Sequence, residues 1–179
     1  QWPAALATCQ AEFARTGDLA TAFDAIRAAV YAGKYDDADQ LARPLLNGPR
    51  AADARTWLGA ADLGRGRRDE ARTHLEIALD LHRAAGDFAA VARDAHQLAG
   101  VRFELAQYEA ARELMEQSQD AATRAGDRRM QIFVGIARAD ILRVMGDYDG
   151  SRQAIQLVLA TAQDRADLVV ARVKQALLL

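Results

Sequence analysis

Cysteine occurs once in this chain, as Cys9, so no disulfide can close within it and no zinc site can be built on thiolates. A lone thiol fits a reducing compartment, and a cytoplasmic location is the expectation. Aromatic residues are scarce at 6%, and the 51% hydrophobic share rests heavily on alanine. Alanine-rich interiors suit close helix–helix packing. No uninterrupted apolar run approaches the roughly 18 residues that span a bilayer. The net charge of −2 supplies no bulk field toward DNA or a membrane surface, so neither is an expected partner. A Gly-rich phosphate loop, a Gly-x-Ser-x-Gly elbow and His-Glu-x-x-His are all missing. The chain is therefore expected to be no enzyme and to need no cofactor.

Histidine is also too sparse for a metal centre. His74 and His82 share one helical stretch but are eight residues apart. At roughly 1.5 Å per residue that is about 12 Å, too far to share one ion. The chain starts without an initiator methionine or a basic leader and finishes on the apolar stretch Leu168–Leu179. These ends are expected of a piece cut from a longer protein. The final stretch, an unpaired helix beginning at Asp164, offers a surface for self-association.

What the chain does contain is a repeated hinge. Leu105–Met115 has a small residue, an aromatic two positions on, an acid, and then a small residue opening an apolar stripe. Gly33–Ala38 and Gly146–Ser151 follow the same plan, and Gly66–Ala71 follows it without the aromatic. Their small residues Ala38, Ala71, Ala111 and Ser151 are 33, 40 and 40 positions apart. A period in this range marks a solenoid of helix pairs. Helices are expected over about 2–15, 19–32, 36–46, 51–65, 69–84, 88–105, 109–124, 128–145 and 148–162, with Pro44 kinking or ending the third. Asp18, Asp87 and Asp127, each after a glycine, punctuate the chain, and Asp18 is placed to cap a helix. Asn47-Gly-Pro49 is the clearest turn. Arg65-Gly-Arg-Arg68 lacks aromatic company and is expected to be a solvated loop.

The pattern resembles the tetratricopeptide repeat (TPR) family, whose plan is W-x2-L-G-x2-Y, A-x3-F and P. Leu58-Gly59 with Ala71-x3-Leu75 and Ala78 matches best, followed by Leu98-Ala99 with Ala111-x3-Met115. Ala25-Ile26 with Ala38-x3-Ala42, and Arg138-Ala139 with Ser151-x3-Ile155, are weaker. The terminal proline is replaced by Arg50, Arg83, Thr123 and Gln163, and two repeats are 40 residues long. That is similar to the longer-helix members of kinesin light chains, bacterial peptide receptors and sensor arms of signalling ATPases. The resemblance implies an all-α fold, a right-handed α-solenoid of antiparallel helix hairpins with about ten helices. Residues 1–179 would form one superhelical domain with repeats near 19–50, 51–87, 88–127 and 128–163 and partial units at both ends.

In this family the first helix of each pair lines a concave groove. Carried over, that geometry places Phe23, Arg27, Val30, Asp53, Thr56 and Leu63 there, then Arg93, His96 and Phe103, and finally Phe133, Ile136, Asp140 and Arg143. The resemblance implies a protein-interaction scaffold holding a partner helix or folded protein on that face. The alternatives are a ligand- or peptide-sensing arm of a larger signalling protein and a self-association module acting through the last helix. The family's carboxylate clamp is absent, because Thr56, Ala60, Arg93 and Gln97 stand at its positions. The single asparagine, Asn47, lies in a turn, which disfavours gripping an extended peptide backbone.

Overall fold

A computed structural model describes residues 2–163 together with residues 168, 169 and 172. Among the described residues there are nine α-helices and one short 3-10 segment. The expected helix from Asp164 onward, including Leu178, lies outside them apart from those three positions. The chain divides into two compact units, Gln1–Leu81 and His82–Leu179.

The first unit holds α1 (Trp2–Thr16), α2 (Leu19–Tyr31), α3 (Tyr35–Ala42), the 3-10 segment Arg43–Asn47, α4 (Ala51–Gly64) and most of α5 (Arg68–Ala85). The Asp18 carboxylate accepts a hydrogen bond from the Thr21 amide at 2.9 Å and so caps α2. The same bond holds its acid below the usual carboxylate range. Pro44 acts as expected: α3 stops after eight residues and the chain tightens into the 3-10 segment that contains it. The core is mostly alanine, with Leu6, Phe23, Ile26 and Leu58 filling the larger gaps. Gly59 explains itself at the α4–α5 crossing. A Cβ there would lie 2.7 Å from Leu75 Cγ, so only a bare backbone lets Leu75 seat.

The second unit runs from the last turn of α5 through α6 (Phe88–Glu104), α7 (Tyr108–Arg124), α8 (Arg128–Val144) and α9 (Tyr148–Thr161). Three of its helices begin the same way, with Asp87, Asp127 and Asp147 accepting from the amides of Ala90, Met130 and Gly150. Such caps are worth about 1 kcal/mol each. The Leu105–Met115 stretch is the turn and first half of α7. Ala111 and Met115 are buried against Ala99, Val134 and Ile141, with Phe103 and Met130 alongside. Ser118 and Ser151 occupy helix crossings with no exposed surface, and each donates to a backbone carbonyl, of Ala92 and Ala139 respectively. The hydroxyl is thereby satisfied without widening the crossing.

Candidate functional site

In the second unit the outward stripe of α6 contains Arg93, His96, Gln97, Gly100 and Glu104, and that of α8 contains Arg129, Phe133, Ile136, Asp140 and Arg143. A 40-residue period puts these two stripes in the same register, so 93 matches 133 and 96 matches 136. The stripes touch through a ring pair, His96 and Phe133, with centroids 4.9 Å apart and planes tilted by 58°. Phe133 is 59% exposed, the highest value among the exposed large hydrophobic side chains described. His96 is half-buried beneath it. Its Nδ1 is buried without a hydrogen-bond partner, and burial pushes its pKa down, so the imidazole is neutral at pH 7.

The remaining expected residues of this unit divide. Arg93 and Arg143 are exposed, and Asp140 is half-buried with interactions of its own. Ile136 packs partly against Ile132 and Val158. Phe103 leans toward the hinge, its ring 5.4 Å from that of Tyr108, and contributes more to the joint than to the outer surface.

In the first unit the expected register is displaced. Phe23 is 6% exposed and belongs to the core, with the Arg50 guanidinium 4.0 Å above its ring. Thr56 is buried too, its hydroxyl donating to the Ala52 carbonyl. In both helices the more exposed residue is the next one along, Asp24 or Trp57. Arg27 pairs with Asp24 at 2.8 Å and Asp53 with Arg50 at 2.7 Å, both near the surface. Val30 and Leu63 are half-buried. The feature that sequence reasoning missed is a run of rings: Trp2 to Tyr31 at 4.8 Å, then Tyr31 to Trp57 at 6.1 Å. Tyr31 lies one turn beyond Arg27 and Trp57 one turn beyond Asp53, which is the spacing that could have revealed them.

No protein-family model matches the sequence, and no curated protein matches it either. Solved structures do. The chain superposes on BtubC (BKLC) from P. vanneervenii with a TM-score of 0.80 and 16% identity, over 99% of this chain and 80% of that one. A thermophilic TPR protein of Thermus thermophilus matches at 0.76 and 20%, over 99% and 91%. A putative kinesin light chain of Podosopora anserina with TPR-like repeats matches at 0.74 and 15%, over 89% and 84%. The fold is that of the TPR-like α-solenoids.

Within the TPR-like fold the polar residues set aside earlier acquire places. His82 Nδ1 lies 2.6 Å from the Asp94 carboxylate in a buried pair between the last turn of α5 and α6. His74 lies 3.9 Å from Asp62 and is pushed toward its neutral form, mainly by burial. Among the described residues no group of three or more metal-capable side chains forms. Arg65 is not the solvated loop residue its neighbours suggest. Its side chain is 14% exposed and joins Asp36 at 2.5 Å and Asp62 at 3.4 Å, tying α3 to the end of α4. Buried carboxylates attract such partners because an unpaired charge there is costly. A cleft of about 590 Å³ between α7, α8 and α9 is lined by Glu109, Arg112, Glu116 and Arg138. Its charges pair with one another, as Arg112 does with both glutamates.

Proposed function

We propose that this chain is a protein-interaction scaffold and that its binding surface is the first-helix face of the second unit, centred on His96 and Phe133. The supporting observation is Phe133 itself. A phenylalanine held 59% exposed, against a half-buried neutral histidine with an unmet ring nitrogen, is costly to leave in water and gains on being covered. Large rings seated between flanking charged groups are the usual anchors of interfaces. No described helix is long and apolar enough to cross a membrane. A cytoplasmic protein partner is the reading that fits the single thiol and balanced charge.

Site-specific photocrosslinking tests this. A benzophenone side chain in place of Phe133 should yield a discrete crosslinked adduct in cells, and the same group in place of Glu113, exposed on α7, should not. Equal labelling from both positions would refute a binding face on the first helices.

A further inference from the structure

The second unit contains ten arginines between residues 82 and 163. Seven have partners. Arg112 and Arg138 meet Glu116, and Arg152 meets Asp149. Arg83, Arg102 and Arg128 bond glutamine side chains, and Arg124 lies over Phe88. Among the described residues, the three without an ion pair, hydrogen bond or ring contact are Arg93, Arg129 and Arg143. All three belong to the first-helix face. Its acids, Glu104 and Asp140, are by contrast already engaged. The face thus carries three arginines against two acids, with arginines on both sides of its exposed ring.

We infer that the occupant of this face is an acidic amphipathic helix, lying along α8 with apolar residues over Phe133 and Ile136 and carboxylates against the three arginines. This rests on the reading above that the face binds a partner. Arg129 and Arg143 are 14 residues apart on one helix. At about 1.5 Å per residue that is roughly 21 Å, four turns of a partner helix whose own acids recur two heptads apart. An extended segment would need side-chain amides to meet its free backbone groups. The face has little to give: Gln97 is half-buried there, and the Gln131 amide is already donated to the Ala122 carbonyl. A helix makes no such demand, since its backbone is satisfied internally.

Gly100 completes the fit. It lies within α6, about one turn before its end, where glycine costs up to about 1 kcal/mol relative to alanine. A Cβ added there would meet nothing within 4 Å, so no packing within the chain requires its absence. A bare backbone beside the ring pair is what the close approach of another helix uses.

The experiment uses the full chain and a fluorescein-labelled 18-residue peptide with a leucine stripe flanked by glutamates. Two companions are a lysine-for-glutamate version and one interrupted by two prolines. Fluorescence anisotropy at low salt should show binding of the acidic helix alone. Each of Arg93→Gln, Arg129→Gln and Arg143→Gln should weaken it about three- to tenfold, and the triple variant at least about thirtyfold. The losses should shrink in about 0.5 M salt. Unchanged helical circular dichroism in the variants keeps a folding defect from mimicking the result. The inference is overturned if the lysine peptide binds as well, if the triple variant binds within twofold of the parent, or if no peptide binds. Equal binding of the proline-interrupted peptide overturns its helical part. A crosslink from position 133 alongside any of these failures would leave the binding face standing and remove only the acidic helix.

Discussion

Ala106 is where the hinge plan and the backbone disagree. Six other hinges put glycine at the left-handed position, Gly17, Gly33, Gly66, Gly86, Gly126 and Gly146, with φ between 65° and 82°. At the turn between α6 and α7 the position is filled by alanine at φ 56°, the only non-glycine residue with positive φ among those described. An L-residue pays about 1–2 kcal/mol for this conformation because Cβ crowds the following carbonyl. Glycine avoids that cost but loses about 0.5–1 kcal/mol more backbone entropy on folding. The Ala106 side chain is exposed, so its removal sacrifices no core packing. The bonds that close the turn, from the Ala106 amide to Phe103 and from the Gln107 amide to Arg102, use backbone atoms and survive the change. Ala106→Gly is therefore expected to stabilise the chain by about 0.5–1 kcal/mol, a rise in Tm of roughly 1–4 °C for this size. Urea unfolding followed by circular dichroism, at constant m-value, measures it. The reverse change, Gly126→Ala, should cost a similar amount at an equivalent hinge. If Gly126→Ala is costly while Ala106→Gly leaves the midpoint unmoved or lowers it, the strain argument is wrong at this turn.

Four further outcomes follow from the packing. Gly135→Ala places a Cβ 2.5 Å from Val158 Cγ2, and overpacking should cost about 1–3 kcal/mol in thermal melts, recovered in part by Val158→Ala. His82→Leu strips Asp94 of its buried partner and should cost about 3–5 kcal/mol, whereas His82→Leu with Asp94→Val should be far milder; equal losses would mean the pair is not coupled. Asp127→Ala removes the α8 cap and should cost about 1 kcal/mol, with an unchanged melt arguing that the Met130 amide is satisfied elsewhere. His74 and His96 both have folded pKa values below the ordinary 6.5 because they are buried, so the unfolded chain binds more protons just below that pH. Stability should consequently fall as pH drops from 7 through 6, and His96→Leu should flatten the slope; a slope unaltered in that variant would count against a buried neutral imidazole.

How the chain would fold was largely legible because its signals are local and redundant. A glycine followed by an aspartate cap recurs at residues 17–18, 86–87, 126–127 and 146–147, and a small residue opens an apolar stripe at Ala38, Ala71, Ala111 and Ser151; each carries its own physical reason. Pro44 could be read with equal certainty, since it removes a donor wherever it sits. The outward stripes were harder. The pattern placed Phe23 and Thr56 outward although both are buried, because periodicity fixes a stripe only to about one residue, some 100° of helix. At that resolution a core phenylalanine and a surface one look alike. Tyr31 and Trp57 escaped for the same reason. The buried pair of His82 and Asp94 was illegible: twelve residues and a turn separate them, and neither residue type announces burial. Arg65 likewise depends on carboxylates of α3, Asp36 and Asp39, a convergence that no local pattern contains.

The change of period along the chain bears on where function can sit. The 33-residue spacing belongs to the hairpin in which Pro44 cuts α3 to eight residues, whereas α6, α7 and α8 each run 17. Equal lengths and a strict 40-residue offset keep the α6 and α8 stripes in register over roughly 25 Å at about 1.5 Å per residue. Residues at matching positions then stand side by side, which is why Arg93 and Phe133, unrelated in chemistry, occupy one row, and why the His96 ring can reach the next helix. A long partner needs such a row, because each turn of its length must find a contact at the same height. The Leu105–Met115 hinge secures this indirectly: by seating Ala111 and Met115 between Ala99 and Val134, it sets the spacing of the two helices that bear the surface. Enlarging Ala111 should therefore weaken binding of the acidic helical peptide in the anisotropy assay without touching any residue of the proposed face.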